Sequence, residues 1–213
     1  MINMDSFRNE KRIVLASASP RRRELLSLVT DRFEVLTADV DERAAEIRME
    51  EEGVPALKVS EHLAEIKAQA VYDSLSDEEK ENSVVIGADT SVILDNIIFG
   101  KPADREEAVR MLSLLSGHVH TVATGVCIFA GKEKKTFTEE TQVEFHELDD
   151  YQKKLISDYI DTGSPFDKAG GYGIQDMGAL LVKRIDGDYA NVVGFPVSRL
   201  ARELSNMLKY SLE

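Results

Sequence analysis

The stretch "SVVIGADTSVILDNIIFG", residues 83–100, decides the fold class. Its apolar residues run together without helical spacing, and Asp95-Asn96 supplies turn residues in the middle, so it reads as two strands in a hairpin. Upstream, strand and helix patterns alternate. "RIVLAS" (12–17) predicts a short buried strand, and residues 20–29 predict a helix with Leu25, Leu26, Leu28 and Val29 on one side. "RFEVLTADVDE" alternates, which predicts a second strand with Phe33, Val35 and Leu36 turned inward. Gly53 and Pro55 divide the highly charged segment 43–53 from a long helix over 56–75, and "SDEEKEN" reads as a solvated turn.

Downstream, "DREEAVRMLSLLSG" has acids in its first turn and Gly117 placed to end it, the marks of a helix. Strands over 119–130 and 135–146 follow, linked by a turn at Gly131, and then a helix over 149–160. A glycine-rich stretch, a strand over 179–186 and a closing helix over 196–210, opened by Pro196, complete the chain. No repeat, low-complexity tract or long linker divides it, so residues 1–213 form one domain in this reading. Early alternation combined with later hairpins predicts an α/β fold with a mixed sheet flanked by helices.

The chain has 213 residues, 43% hydrophobic and 31% charged, which suits an ordinary soluble protein with a hydrophobic core. A net charge of −13 argues against a DNA or RNA polymer or an anionic membrane as partner, because both select for cations. A small anion in a local basic pocket stays open, since a pocket depends on local field. The one cysteine, Cys127, lies in the apolar run "VATGVCIFA"; it excludes a disulfide framework and reads as a core residue. "MINMDSFRNEKR" lacks the apolar core of a signal peptide, and no apolar run approaches membrane-spanning length. The expected setting is cytoplasmic.

Four places could carry chemistry. In "LASASPRRRELL" (15–26) a strand feeds a helix through Ser19-Pro20, and Arg21, Arg22 and Arg23 fill the first turn. That helix end carries partial positive charge, so three cations are unfavourable there unless an anion is bound. Arginine suits phosphate because its planar fork binds two oxygens; a solvated basic turn is the alternative. "VVIGADT" delivers Asp89 at the end of an apolar run, where a carboxylate can hold Mg²⁺, take a proton from water, or merely cap a turn. Acidic companions are Glu34 and the "DVDE" run with Asp39, Asp41 and Glu42. Lys101 in "FGKP" and Lys67 in "HLAEIKAQA" are candidate phosphate partners or solvated charges. "SPFDKAGGYGIQDMG" lets backbone approach a ligand closely, and Gln175 offers the donor and acceptor needed to read a base edge. The four histidines show no zinc spacing, and no serine elbow occurs.

Taken in order, "LASASPRRRELL", "FE" (33–34), "IKAQAV", "IGADTSV", "GKP", "EAVRMLSLLSGHVHTVATGV" and "FDKAGGYGIQ" resemble the Maf family of nucleoside triphosphate pyrophosphatases over nearly the whole chain. The resemblance implies an elongated mixed sheet in two lobes with a cleft between them. It also implies hydrolysis of a nucleoside triphosphate to the monophosphate and pyrophosphate with Mg²⁺ or Mn²⁺. Asp89 takes the family's proton-acceptor position, Arg22 its Ser-Pro-x-Arg arginine, and Glu34, Lys67 and Lys101 other polar positions of the cleft. Metal contact falls to Asp89 with Glu34. Arg21, Thr90 and Gln175 agree with the branch acting on dTTP and UTP rather than the branch acting on 7-methyl-GTP. Normal and modified pyrimidine triphosphates both fit that reading. A homodimer is compatible with the family type, though no interface is legible. The competing class is a nucleotide-binding regulator of cell division without turnover.

Overall fold

The computed structural model describes residues 11–208. Its strands are β1 (Arg12–Leu15), β2 (Glu34–Val35), β3 (Ser83–Leu94), β4 (Ile97–Phe99), β5 (Val119–Ala130), β6 (Glu133–Phe145) and β7 (Val182–Asp186). The helices are α1 (Pro20–Leu26), α2 (Glu42–Glu51), α3 (Ala56–Ser74), α4 (Asp77–Glu81), α5 (Arg105–Leu115), α6 (Asp150–Asp161), α7 (Tyr189–Val193) and α8 (Val197–Met207). The sheet runs in the order β2-β1-β3-β5-β6-β7, with β4 also paired to β3. The pairs β1–β2 and β1–β3 are parallel and the others antiparallel, so the sheet is mixed, as the sequence pattern requires.

The 83–100 hairpin forms as read. Asp95 and Asn96 both take positive φ (51° and 63°), the twist a two-residue hairpin turn needs, and both residue types tolerate it. Residues 84, 86, 88 and 92 of β3 face one side, under two apolar cores set end to end. One core holds Leu15, Leu26, Ile86, Phe195 and Leu200; the other holds Leu112, Phe145, Tyr159 and Leu181. The opposite face, with Val14, Val85 and Cys127, is covered by α3 through Ala64, Ala68 and Val71.

That helix lies very close to the sheet. A Cβ built at Gly87 would sit 2.4 Å from the Ala64 carbonyl oxygen, and one at Gly125 would sit 2.3 Å from Glu61 Cα. Only glycine permits this approach, and it fixes how far above the strands the side chains of α3 reach.

Four expectations are corrected. β2 is only two residues long with both exposed, because Leu36 and Ala38 leave the sheet to pack on the α3 side; Val35 therefore does not point inward. α1 stops at Leu26, and Leu28 is exposed. The charged segment is mostly the helix α2, capped by the Asp41 side chain, and "SDEEKEN" holds α4, started by a Ser76–Glu79 capping box. β7 begins at Val182, since Met177–Leu181 form a 3-10 turn. The expected end of the closing helix at 209–210 lies outside the described residues.

Candidate active site

β1 pairs with β3 over Ser83–Ile86, and β4 pairs with it over Val92–Leu94 on the same side. Between them residues 87–91 carry no strand partner on that side, and a cleft of about 980 Å³ opens there. It lies beyond the carboxyl end of β1, where open α/β sheets generally place ligands. The α1 N-terminus, α2, α3, the residues after β4 and the glycine-rich stretch all contribute to its walls.

Strand alternation sends Asp89 and Thr90 to opposite faces. Asp89 points under α3, where Lys67 Nζ donates to Asp89 Oδ1 at 2.6 Å and to Glu42 Oε2 at 2.8 Å. Lys67 and Asp89 are mostly buried, with side chains 17% and 14% exposed, while Glu42 reaches in from the first turn of α2. Glu46, one turn further along α2, also lines the cleft. Partial burial raises the Glu46 pKa, and the nearby carboxylates of Asp89 and Glu42 raise it further. The acidic segment thus supplies a wall of the cleft.

Thr90 faces the other way. Its hydroxyl accepts from Arg22 Nη2 at 3.1 Å and lies 3.0 Å from the Thr124 hydroxyl. Arg22 also donates from Nε to the Gly194 carbonyl, and from Nη1 to the Ala88 carbonyl (2.7 Å) and Ser17 Oγ. Burial lowers its pKa, and attraction to Asp89 offsets part of that. Arg21, beside it, pairs with Asp167 Oδ2 at 3.1 Å from the glycine-rich stretch. Lys101 stands exposed on the lip after β4, and Gln175 is exposed on the facing wall.

The wall carrying Gln175 is held from below. Lys168 Nζ donates to the Ser164 carbonyl and to Asp167, both at 2.6 Å. Asp176 accepts from the backbone N–H of Gly178 and from the hydroxyls of Ser164 and Tyr159. These contacts keep the Asp176 carboxyl below its ordinary value despite the opposing effect of burial. Tyr172 bonds to buried His120 at 2.8 Å, and burial holds that imidazole down to about 4.

The cleft therefore brings together Arg21, Arg22, Lys67, Asp89, Thr90, Lys101 and Gln175. Glu34 is not among them. Its carboxylate accepts from Arg12 Nε at 3.1 Å and Nη2 at 2.8 Å, and it is mostly exposed. The carboxylate beside Asp89 is Glu42, which the sequence offered only as one of a run of acids. Glu46 and Asp167 carried no distinguishing signal, since each reaches the cleft through a helix or turn whose placement is tertiary.

A divalent cation would find two convergent carboxylates here, Asp89 and Glu42, both within reach of one ammonium nitrogen. Among the described residues no group of three or more His, Cys, Asp or Glu side chains is placed to hold a metal ion by itself. Such a pair suits Mg²⁺, which is usually held by one or two carboxylates with water and substrate phosphate completing the shell. Cys127 is buried, and its thiol is pushed up to about 12, so it offers no nucleophile. No helix among the described residues is long and apolar enough to cross a membrane.

Known proteins resemble this chain in sequence. The family model described as Maf-like protein matches residues 12–207. A dTTP/UTP pyrophosphatase of Geobacillus sp. (strain WCH70) is 46% identical over 197 residues, 92% of this chain and 98% of that protein. One of Thermosipho africanus (strain TCF52B) is 48% identical over 189 residues, 89% of this chain and 90% of that protein. One of Acetivibrio thermocellus is 46% identical over 194 residues. The matched span, residues 12–207, includes every wall of the cleft, and the chain belongs to the Maf-like family.

Proposed function

We propose that the chain hydrolyses dTTP and UTP to the monophosphate and pyrophosphate, the activity its relatives are named for. The observation that carries this reading is the convergence of Asp89 and Glu42 on Lys67 inside the cleft. A base, an acidic partner and a cation share one spot, with further cations at the rim.

In this mechanism Asp89 accepts the proton of the water that attacks the α-phosphorus. The bond from the α-phosphorus to the bridging oxygen breaks, and pyrophosphate leaves with that oxygen. Lys67 orients Asp89 and shifts toward phosphate oxygens when substrate arrives. Lys101 and Arg21 neutralise the leaving group from the rim, Arg21 exchanging Asp167 for phosphate. Asp89 and Glu42 would hold a divalent cation, which supplies charge neutralisation on the phosphates. Positioning and electrostatics supply most of the rate, as in other phosphoryl substitutions. Gln175 and Thr90 read the base; an amide matches the neutral O4/N3 edge of uracil or thymine, whereas a carboxylate does not.

The test is product analysis with dTTP, UTP, CTP and purine triphosphates, with Mg²⁺, with Mn²⁺ and with chelator. Pyrophosphate release favouring dTTP and UTP, abolished by chelator, is expected. Release of orthophosphate alone overturns the bond assignment, and tight binding without turnover gives the regulator reading.

A further inference from the structure

We infer that Arg22 is a positioning residue for Asp89 rather than a phosphate ligand, and that buried Thr124 anchors it. The inference rests on Asp89 as the base. A guanidinium has five N–H donors, and four of those of Arg22 are spent on the protein: on Gly194 O, Ser17 Oγ, Ala88 O and Thr90 Oγ1. Two of these acceptors belong to the residues on either side of Asp89. Ala88 offers its carbonyl on the edge of β3 that no strand covers, so Arg22 takes the place of a neighbouring strand there.

Behind it the Thr90 hydroxyl lies 3.0 Å from the Thr124 hydroxyl and accepts from Arg22, with the Gly194 carbonyl a further acceptor for it at 3.4 Å. With Thr124 donating to the Asn191 carbonyl at the shorter distance of 3.2 Å, Thr124 accepts from Thr90. Thr124 and Asn191 are both fully buried, so this chain of hydroxyls ends on backbone that water does not reach. Contacts on both sides of its hydroxyl hold the Thr90 side chain against Arg22, and through it the Arg22 fork.

A lysine could carry the same charge but could not bridge these acceptors, which lie on α7–α8, on β3 and on the turn after β1. The guanidinium therefore sets the backbone that aims Asp89, and the phosphates are left to Lys67, Lys101 and Arg21.

Arg22→Lys separates the two roles. A phosphate ligand that keeps its charge loses affinity first. A positioning residue loses turnover, and displacement of a reacting group by about 1 Å can cost roughly 100-fold. The expected result is a fall in kcat of about that size, with unchanged affinity for pyrophosphate and for UTP bearing an α,β-imido bridge, both read by calorimetry. Thr124→Val should show the same signature at about tenfold, with Thr124→Ser restoring turnover. A loss of affinity of about tenfold or more in Arg22→Lys, or wild-type kcat in Thr124→Val, overturns the inference. If Arg22→Lys does not fold, the Thr124 pair decides alone. Asp89→Asn, run alongside, tests the role of Asp89 independently.

Discussion

Among the places where this protein sets one cation between two carboxylates, two stand in contrast. In the cleft Lys67 lies between Asp89 and Glu42; at the far edge of the sheet Arg12 lies between Glu34 and Glu79. The distances are alike, 2.6 and 2.8 Å against 2.8 and 3.1 Å, and the charge arithmetic is the same. What differs is surroundings. Asp89 is 14% exposed and roofed by α3, whereas Glu34 and Glu79 are 55% and 47% exposed; Glu42, at 49%, is the open end of the inner triad. Water and salt screen the outer triad, so its members trade partners with solvent at little cost. The enclosed Lys67–Asp89 pair has few alternatives to itself, and on the proposed mechanism an entering phosphate would compete for Lys67. Enclosure beside an open strand edge distinguishes the two.

Asp89→Asn puts the largest strain on this contrast. Removing the base should lower kcat by about 10² to 10⁴-fold with the fold retained, as steady-state kinetics and circular dichroism would show. Near-normal turnover would remove Asp89 from the chemistry. Lys67→Met should come next. It leaves Asp89 and Glu42 facing each other without a cation, and KM should rise together with a fall in kcat of about tenfold or more. An unchanged KM would make Lys67 a structural partner like Arg12.

Burial alone, without a charge partner, gives a third point. Desolvation holds His120 neutral down to about 4. Between its ordinary value and that one, the unfolded chain binds a proton that the native state does not. Stability should therefore fall as pH drops from about 6.5 to about 4, by up to about 3 kcal/mol, and level off below. Denaturant melts across that range should flatten in His120→Asn.

The smallest effect belongs to the outer triad. Glu34→Gln should leave kcat and KM unchanged. The hydrogen bond from Arg12 holds the Glu34 carboxyl below its ordinary value, so whatever stability the pair adds is present at neutral pH and fades as pH falls through the carboxylate range. A large loss of activity in Glu34→Gln would erase the contrast and return Glu34 to the site.

Much of this was legible in the residues. The hairpin at 83–100 announced itself through the Asp95-Asn96 turn and unbroken apolar runs, and it settled the mixed sheet. The Ser-Pro-Arg turn, the Gly-Ala-Asp strand, Gly-Lys-Pro and the glycine-rich stretch each marked a wall of the cleft, because backbone demands leave local signatures. Glu34 lies outside the cleft for the opposite reason. A carboxylate inside an alternating pattern looks the same whether its strand runs for two residues or eight, and here the chain leaves the sheet at Leu36.

Sequence by itself determined the periodicities, the turns and the inventory of charged groups. Tertiary structure alone decided which charges met. Gly87 and Gly125 let α3 settle close enough for Lys67 to reach Asp89, and α2 swung Glu42 and Glu46 to the same place. It also turned Arg22 inward onto Ala88, Thr90 and Gly194 while its neighbour Arg21 crossed the cleft to Asp167. The physical reason is range. Strand and helix patterns follow from neighbours along the chain, whereas a catalytic charge is defined by partners tens of residues away and by the water that packing keeps out.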